Sequence, residues 1–102
     1  MNPERYRQHL RNRLVYSNVP YHLHEGLVEY LVTRRPVGGF LTAVLSNDLT
    51  SACVKADPTS LARIADVVKF LVNFAPPSAW GSESIVASWL QAAPAPVPEL
   101  YE

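Results

Sequence analysis

DPTSLARIADVVKFLVNFA, residues 57–75, decides the fold class. Asp57 is a good helix cap, and Pro58 suits the first turn, where its missing N–H has no partner to lose. Leu61, Ile64, Ala65, Val68, Leu71, Val72 and Ala75 then follow at helical spacing. Val67, Phe70 and Phe74 widen the apolar surface well past one stripe. A helix apolar over most of its circumference is either buried or packed on another subunit. The pattern therefore predicts one helix over 58–75, ended by Pro76-Pro77, and a homo-oligomer that covers Val67, Phe70 and Phe74.

Working outward, the rest of the chain also reads as helix. Asn2 can cap and Pro3 can open a helix over about residues 3–15, with Tyr6, Leu10 and Leu14 on one side and Arg7 and Arg11 on another. A second start lies near Asn18 and Pro20. Leu23, Leu27, Tyr30 and Leu31 share its apolar stripe, and Pro36 ends it. Gly38-Gly39 opens a third segment with Phe40, Leu41, Val44 and Leu45 inward. Asn47-Asp48 re-caps the chain for a short helix over Leu49 to Lys55. A last helix starts near Ser82, with Ile85, Trp89 and Leu90 inward. No alternating strand pattern of useful length appears. The expected fold is all-α: four to six short helices, with a basic amphipathic arm at 1–18, a helical core domain at 19–91 and an extended Ala/Pro-rich tail at 92–102.

Composition narrows the function classes. The 102 residues carry 9 Lys+Arg and 9 Asp+Glu, a net charge of zero, which argues against a uniformly basic nucleic-acid binder. Along the chain that zero is uneven. Residues 1–19 carry Arg5, Arg7, Arg11 and Arg13 against Glu4, the middle balances, and residues 76–102 carry only Glu83, Glu99 and Glu102. No apolar run is long enough to span a membrane, and the N-terminus lacks the apolar core of a secretion signal. The single cysteine cannot form an internal disulfide. Cys53 sits among apolar neighbours and is expected to be buried and inert.

Several positions are candidate sites. Arg34-Arg35-Pro36-Val37-Gly38-Gly39 places two guanidiniums and two glycines before a helix, a layout that can hold a phosphate or carboxylate. A solvated connection between helices explains it equally. Trp80 could stack on a nucleobase or anchor the core, and Ser82 opens the helix that follows. Asn47 and Asp48 could sit in a cleft or merely cap. His22, Glu25 and Glu29 share one helix face but lack the order of a zinc motif, so a solvated polar face is expected, with no metal and no cofactor. No nucleophile–base order or paired catalytic carboxylate stands out, and catalysis is not expected.

Val19-Pro20, Glu25-Gly26-Leu27 through Tyr30, Pro36-Val37, GGFLTAVLSNDL at 38–49, Val72-Asn73, Pro77, WGS at 80–82 and Trp89-Leu90 together resemble a group of small proteins encoded by tailed bacteriophages and prophages. The resemblance covers about residues 19–91. It implies an accessory factor of the host cytoplasm that antagonises host defences or host enzymes, and it transfers no catalytic residue. With the site reading added, the expectation is a non-catalytic binder that sequesters an anionic nucleotide signal through Arg34, Arg35, Gly38, Gly39, Asn47, Asp48, Trp80 and Ser82. The alternatives are a small DNA-binding regulator using the arginines of the N-terminal arm, and an inhibitor docking directly onto a host defence protein.

Overall fold

Local capping chemistry sets most helix starts. In the computed structural model, which describes residues 2–92, Asn2 accepts from the Arg5 N–H at 2.8 Å and starts α1 (Pro3–Val15). A 3-10 turn at Tyr21–Leu23 runs into α2 (His24–Thr33). Gly38 precedes α3 (Gly39–Leu45). Asp48 caps α4 (Leu49–Lys55) through the Ser51 N–H, and Asp57 caps α5 (Pro58–Ala62) through the Ser60 N–H. α6 (Ile64–Phe74) follows, then a second 3-10 turn at Pro77–Ala79. Ser82 accepts from the Ile85 N–H and starts α7 (Glu83–Gln91). The result is an all-α single domain with seven α-helices and no strand among the described residues. Among those residues, no helix is long and apolar enough to cross a membrane. The tail expected at 92–102 lies outside the described residues apart from Ala92.

The expected count of four to six helices is exceeded because the 58–75 segment is not one helix. The Arg63 N–H bonds to the Ser60 carbonyl, only three residues back, at 3.1 Å. Arg63 itself leaves the helical region, at φ −119° and ψ 17°. α5 therefore ends in a tight turn and α6 starts afresh.

One core joins α1, α2, α3, α4, α6 and α7. Tyr6, Leu10 and Leu14 of α1 are buried in the same cluster as Leu27, Tyr30 and Leu31 of α2, and with Leu45, Val67, Leu71 and Trp89. The N-terminal segment is thus not an arm set apart from residues 19–91. α1 lies along α2, and their polar edges form a paired seam. Arg7 grips Glu29 with two hydrogen bonds of 2.8 and 3.2 Å, and also meets Glu4. Arg11 grips Glu25 with two, of 2.5 and 3.3 Å. Glu25 and Glu29 are therefore ion-pair partners of α1; Glu25 stays on the solvated face that their spacing suggests, whereas Glu29 is largely covered. Arg13 lies over the Phe74 ring at 5.8 Å.

These pairings make stability depend on pH. Hydrogen bonds from Arg7 and Arg11 hold the Glu29 and Glu25 carboxyls below their ordinary range. Backbone N–H groups of Ser51 and Ser60 do the same to the caps Asp48 and Asp57. A depressed folded-state pKa contributes stability that is complete above the unfolded value, about 4 for these groups, and is lost as pH falls through the folded value. Melting temperature is expected to be level above about pH 5 and to fall steadily below about pH 4. Glu29→Gln should lower it at neutral pH and make the acid limb shallower. Thermal melts across a pH series check this, and a limb equally steep in the variant would show that the Arg7–Glu29 pair contributes nothing.

Candidate functional site

The expected anion site does not assemble as one constellation. Arg34 ends α2 in the left-handed region, at φ 61°, a conformation that costs a non-glycine residue about 1–2 kcal/mol. Its N–H bonds to the Tyr30 carbonyl, and that of Arg35 bonds to the Glu29 carbonyl, so two terminal carbonyls of α2 are satisfied. The turn aims the Arg34 guanidinium at α7. It stacks over the Trp89 ring at 3.7 Å and donates to the Trp89 carbonyl at 3.1 Å. Trp89 in turn donates from its indole N–H to the Tyr30 carbonyl at 2.9 Å. The Tyr30 hydroxyl donates to the Ala79 carbonyl at 2.6 Å, and its burial pushes its pKa up to about 12. Arg34 is thus one part of a lock joining α2 to α7. Arg35 is exposed on the surface.

Trp80, Gly81 and Ser82 build the entry to α7. Trp80 is partly buried against the core. The Gly81 N–H donates to the carbonyl of Leu45, at the end of α3, at 2.7 Å. Gly81 has φ +122°, where a side chain would be strained by about 1–3 kcal/mol. Ser82 is the α7 cap. Asn47 and Asp48 lie at the other end of α3 from Gly38-Gly39. Asn47 is left-handed, at φ 61°, and Asp48 caps α4. The pair borders a dimple of about 40 Å³ beside Leu49 and Val68.

Gly38 and Gly39 do line a cleft, with different companions. It holds about 400 Å³, inside the range of small-molecule sites. Pro36, Val37 and Phe40 supply apolar wall, and Lys55, His22, Ser60 and the Asp57 carboxylate supply polar groups. The Lys55 stem lies over Gly39; a Cβ built there would sit 3.1 Å from Lys55 Cδ and 3.7 Å from Nζ. Among the described residues the Lys55 ammonium has no hydrogen bond or ion pair. Gly38 has an ordinary φ of −70°. A Cβ there would meet nothing within 4 Å, so the fold does not require glycine at that position.

His22, Asp57 and Ser60 meet at one edge of the cleft. His22 Nε2 stands 3.1 Å from Ser60 Oγ and 3.1 Å from Asp57 Oδ2. This is not a nucleophile–base–orienter relay. One ring nitrogen makes both contacts, whereas a relay needs the two nitrogens in different roles, and Asp57 is already committed as a cap. The sequence offered no signal for this meeting beyond the cap at Asp57, because His22 and Ser60 are 38 residues apart. Among the described residues no three His, Cys, Asp or Glu side chains group as a metal site.

Two further expectations are corrected. Cys53 is exposed, not buried, because Ala52 takes the inward position on α4. Val67 and Phe70 are buried within this chain, at 0% and 3% exposure, and Phe74 is half-buried against it. Val67 and Phe70 therefore do not form an exposed interface, and only Phe74 of the three keeps some surface. No family model matches this chain, and no curated protein or solved structure matches it.

Proposed function

We propose that this chain is a non-catalytic phage accessory protein of the host cytoplasm that captures a small anionic ligand in the cleft between α2, α3 and α4. The observation that carries this is that the Lys55 ammonium, over Gly39, lines the same cleft as Gly38, where the space for a side chain is left open although nothing in the fold forbids one. The α3 helix is only seven residues long, so its dipole adds little, and Lys55 supplies the charge. Phe40, Pro36 and Val37 offer an apolar wall to the rest of the ligand. The chemistry that fits is a phosphate or carboxylate on a planar or apolar body, nucleotides among them. Arg34 and Trp80 have no part in it. The DNA-binding reading loses support because Arg7, Arg11 and Arg13 are engaged within the molecule.

The test is calorimetric titration with linear and cyclic nucleotides, inorganic phosphate and aromatic carboxylates. At least one ligand is expected to bind. Lys55→Glu should weaken that binding about tenfold or more, in keeping with the loss of a charged hydrogen bond of about 1.5–3 kcal/mol. Gly38→Leu should block it while leaving the fold intact. Absence of heat across the whole panel, or binding indifferent to both substitutions, would sink the cleft as the site.

A further inference from the structure

We propose, on the reading of the cleft between α2, α3 and α4 as an anion site, that its ligand is dipolar: an anionic group for Lys55 and an N–H donor for Asp57, on one apolar or planar body. Lys55 and Asp57 line the same cleft with a single residue between them. They do not pair, since the Lys55 ammonium has no ion-pair partner among the described residues. Each is drawn to a different neighbour. The Lys55 stem lies over Gly39, with Cδ 3.1 Å and Nζ 3.7 Å from where a Cβ would stand. One Asp57 oxygen accepts the Ser60 N–H at 2.7 Å, and the other stands 3.1 Å from His22 Nε2.

Opposite charges held apart in this way make a fixed dipole in the cleft. With His22 uncharged, its lining side chains balance, Lys55 against Asp57. A plain anion gains from Lys55 and loses to Asp57, because both charges act within one cleft. A ligand that also carries an N–H donor turns that loss into a second contact. Asp57 is equipped to make it. The Ser60 backbone N–H holds its carboxyl below the ordinary range and so keeps it ionised. A carboxylate offers about four lone-pair sites. Ser60 and His22 engage two of these, and the side chain is 52% exposed. Hydrogen bonds to ionised groups are the strong ones, so the two ends fix the ligand's orientation while Pro36, Val37 and Phe40 cover its body. Two sources carry this chemistry: an amino acid with an apolar side chain, and a nucleotide whose base bears an amino group.

Calorimetric titration of the whole chain with two matched pairs tests this: phenylalanine against 3-phenylpropionate, and guanosine monophosphate against inosine monophosphate. The members of each pair differ only in an amino group. In at least one pair the amino-bearing member should bind about tenfold or more tightly, the worth of one charged hydrogen bond, and that pair names the source. Asp57→Asn and Asp57→Ser both keep a good helix cap and remove the charge. Helicity should therefore hold in both, while the preference falls to about twofold or less. Lys55→Glu should weaken both members of the pair. Equal binding within both pairs, tighter binding of the plain anion, or a preference that survives both Asp57 variants would overturn the dipolar ligand and leave anion capture standing. Binding of plain phosphate or aromatic carboxylates with no heat from either amino-bearing compound would do the same. No heat from any of these compounds would remove the cleft itself as the site, and the dipolar ligand with it.

Discussion

Deleting residues 2–15 is expected to abolish the cooperative thermal transition of the whole protein. α1 looks dispensable by charge, but Tyr6, Leu10 and Leu14 are 3%, 0% and 0% exposed. Burying each such side chain contributes about 1.5–3 kcal/mol, so the three supply ~5–9 kcal/mol, against a total stability of about 5–15 kcal/mol for a domain. The deletion would also uncover Leu27 and Leu31 and strand Glu29, whose side chain is only 14% exposed, without Arg7. Circular dichroism during heating checks this, with a broad or absent transition expected. A sharp transition near the parent temperature would mean that α1 is a docked arm after all. The same expectation governs any test of DNA binding. Truncation would confound lost arginines with lost structure, so the informative measurement is the salt dependence of binding by the intact chain.

Trp89→Ala is expected to cost about 3–5 kcal/mol, lowering the melting temperature by ~12–40 °C at about 4–8 °C per kcal/mol for a domain of this size. The indole is 8% exposed and holds three things together. Its face carries the Arg34 guanidinium, its N–H satisfies the Tyr30 carbonyl, and its ring lies 6.2 Å from that of Tyr30. Without it, the strained Arg34 turn loses the contact that offsets its left-handed backbone. Trp89→Phe separates the contributions. It keeps most of the apolar bulk and removes the indole N–H, while the Arg34 N–H still bonds to the Tyr30 carbonyl, so it should cost about one hydrogen bond, about 0.5–1.5 kcal/mol. Urea denaturation of both variants gives the numbers. A loss under about 1 kcal/mol for the alanine variant would show that the α2–α7 lock does not carry the fold.

The caps were legible because they are local. Asn2, Asp48, Asp57 and Ser82 each accept an N–H three residues on, so residue type and spacing are sufficient to find them. The apolar stripes of α1 and α2 were legible for the same reason, since helical periodicity reports which residues share a face, whereas α7 buries Val86 with Trp89 where Ile85 was expected. Contacts between distant segments were not. Arg7 meets Glu29 across 22 residues, His22 meets Ser60 across 38 and Arg34 meets Trp89 across 55. Arg34 was visible singly as a charged residue and suggested a ligand because its partner, Trp89, could not be seen.

What the sequence determined by itself is an all-α chain, its side-chain-capped helix starts, and an excess of apolar surface on residues 58–75. Tertiary structure alone decided how that excess is shared. Periodicity shows that the flank of Val67 and Phe70 and the flank of Val68 and Val72 are both apolar, but a helix can turn either one inward at similar cost. The neighbouring helices make the choice. They enclose Val67, Phe70 and Leu71 and leave Val68 and Val72 facing solvent. The same packing spends Arg7, Arg11, Arg13 and Arg34 inside the molecule and leaves Lys55 as the cation lining the cleft of Gly38 and Gly39.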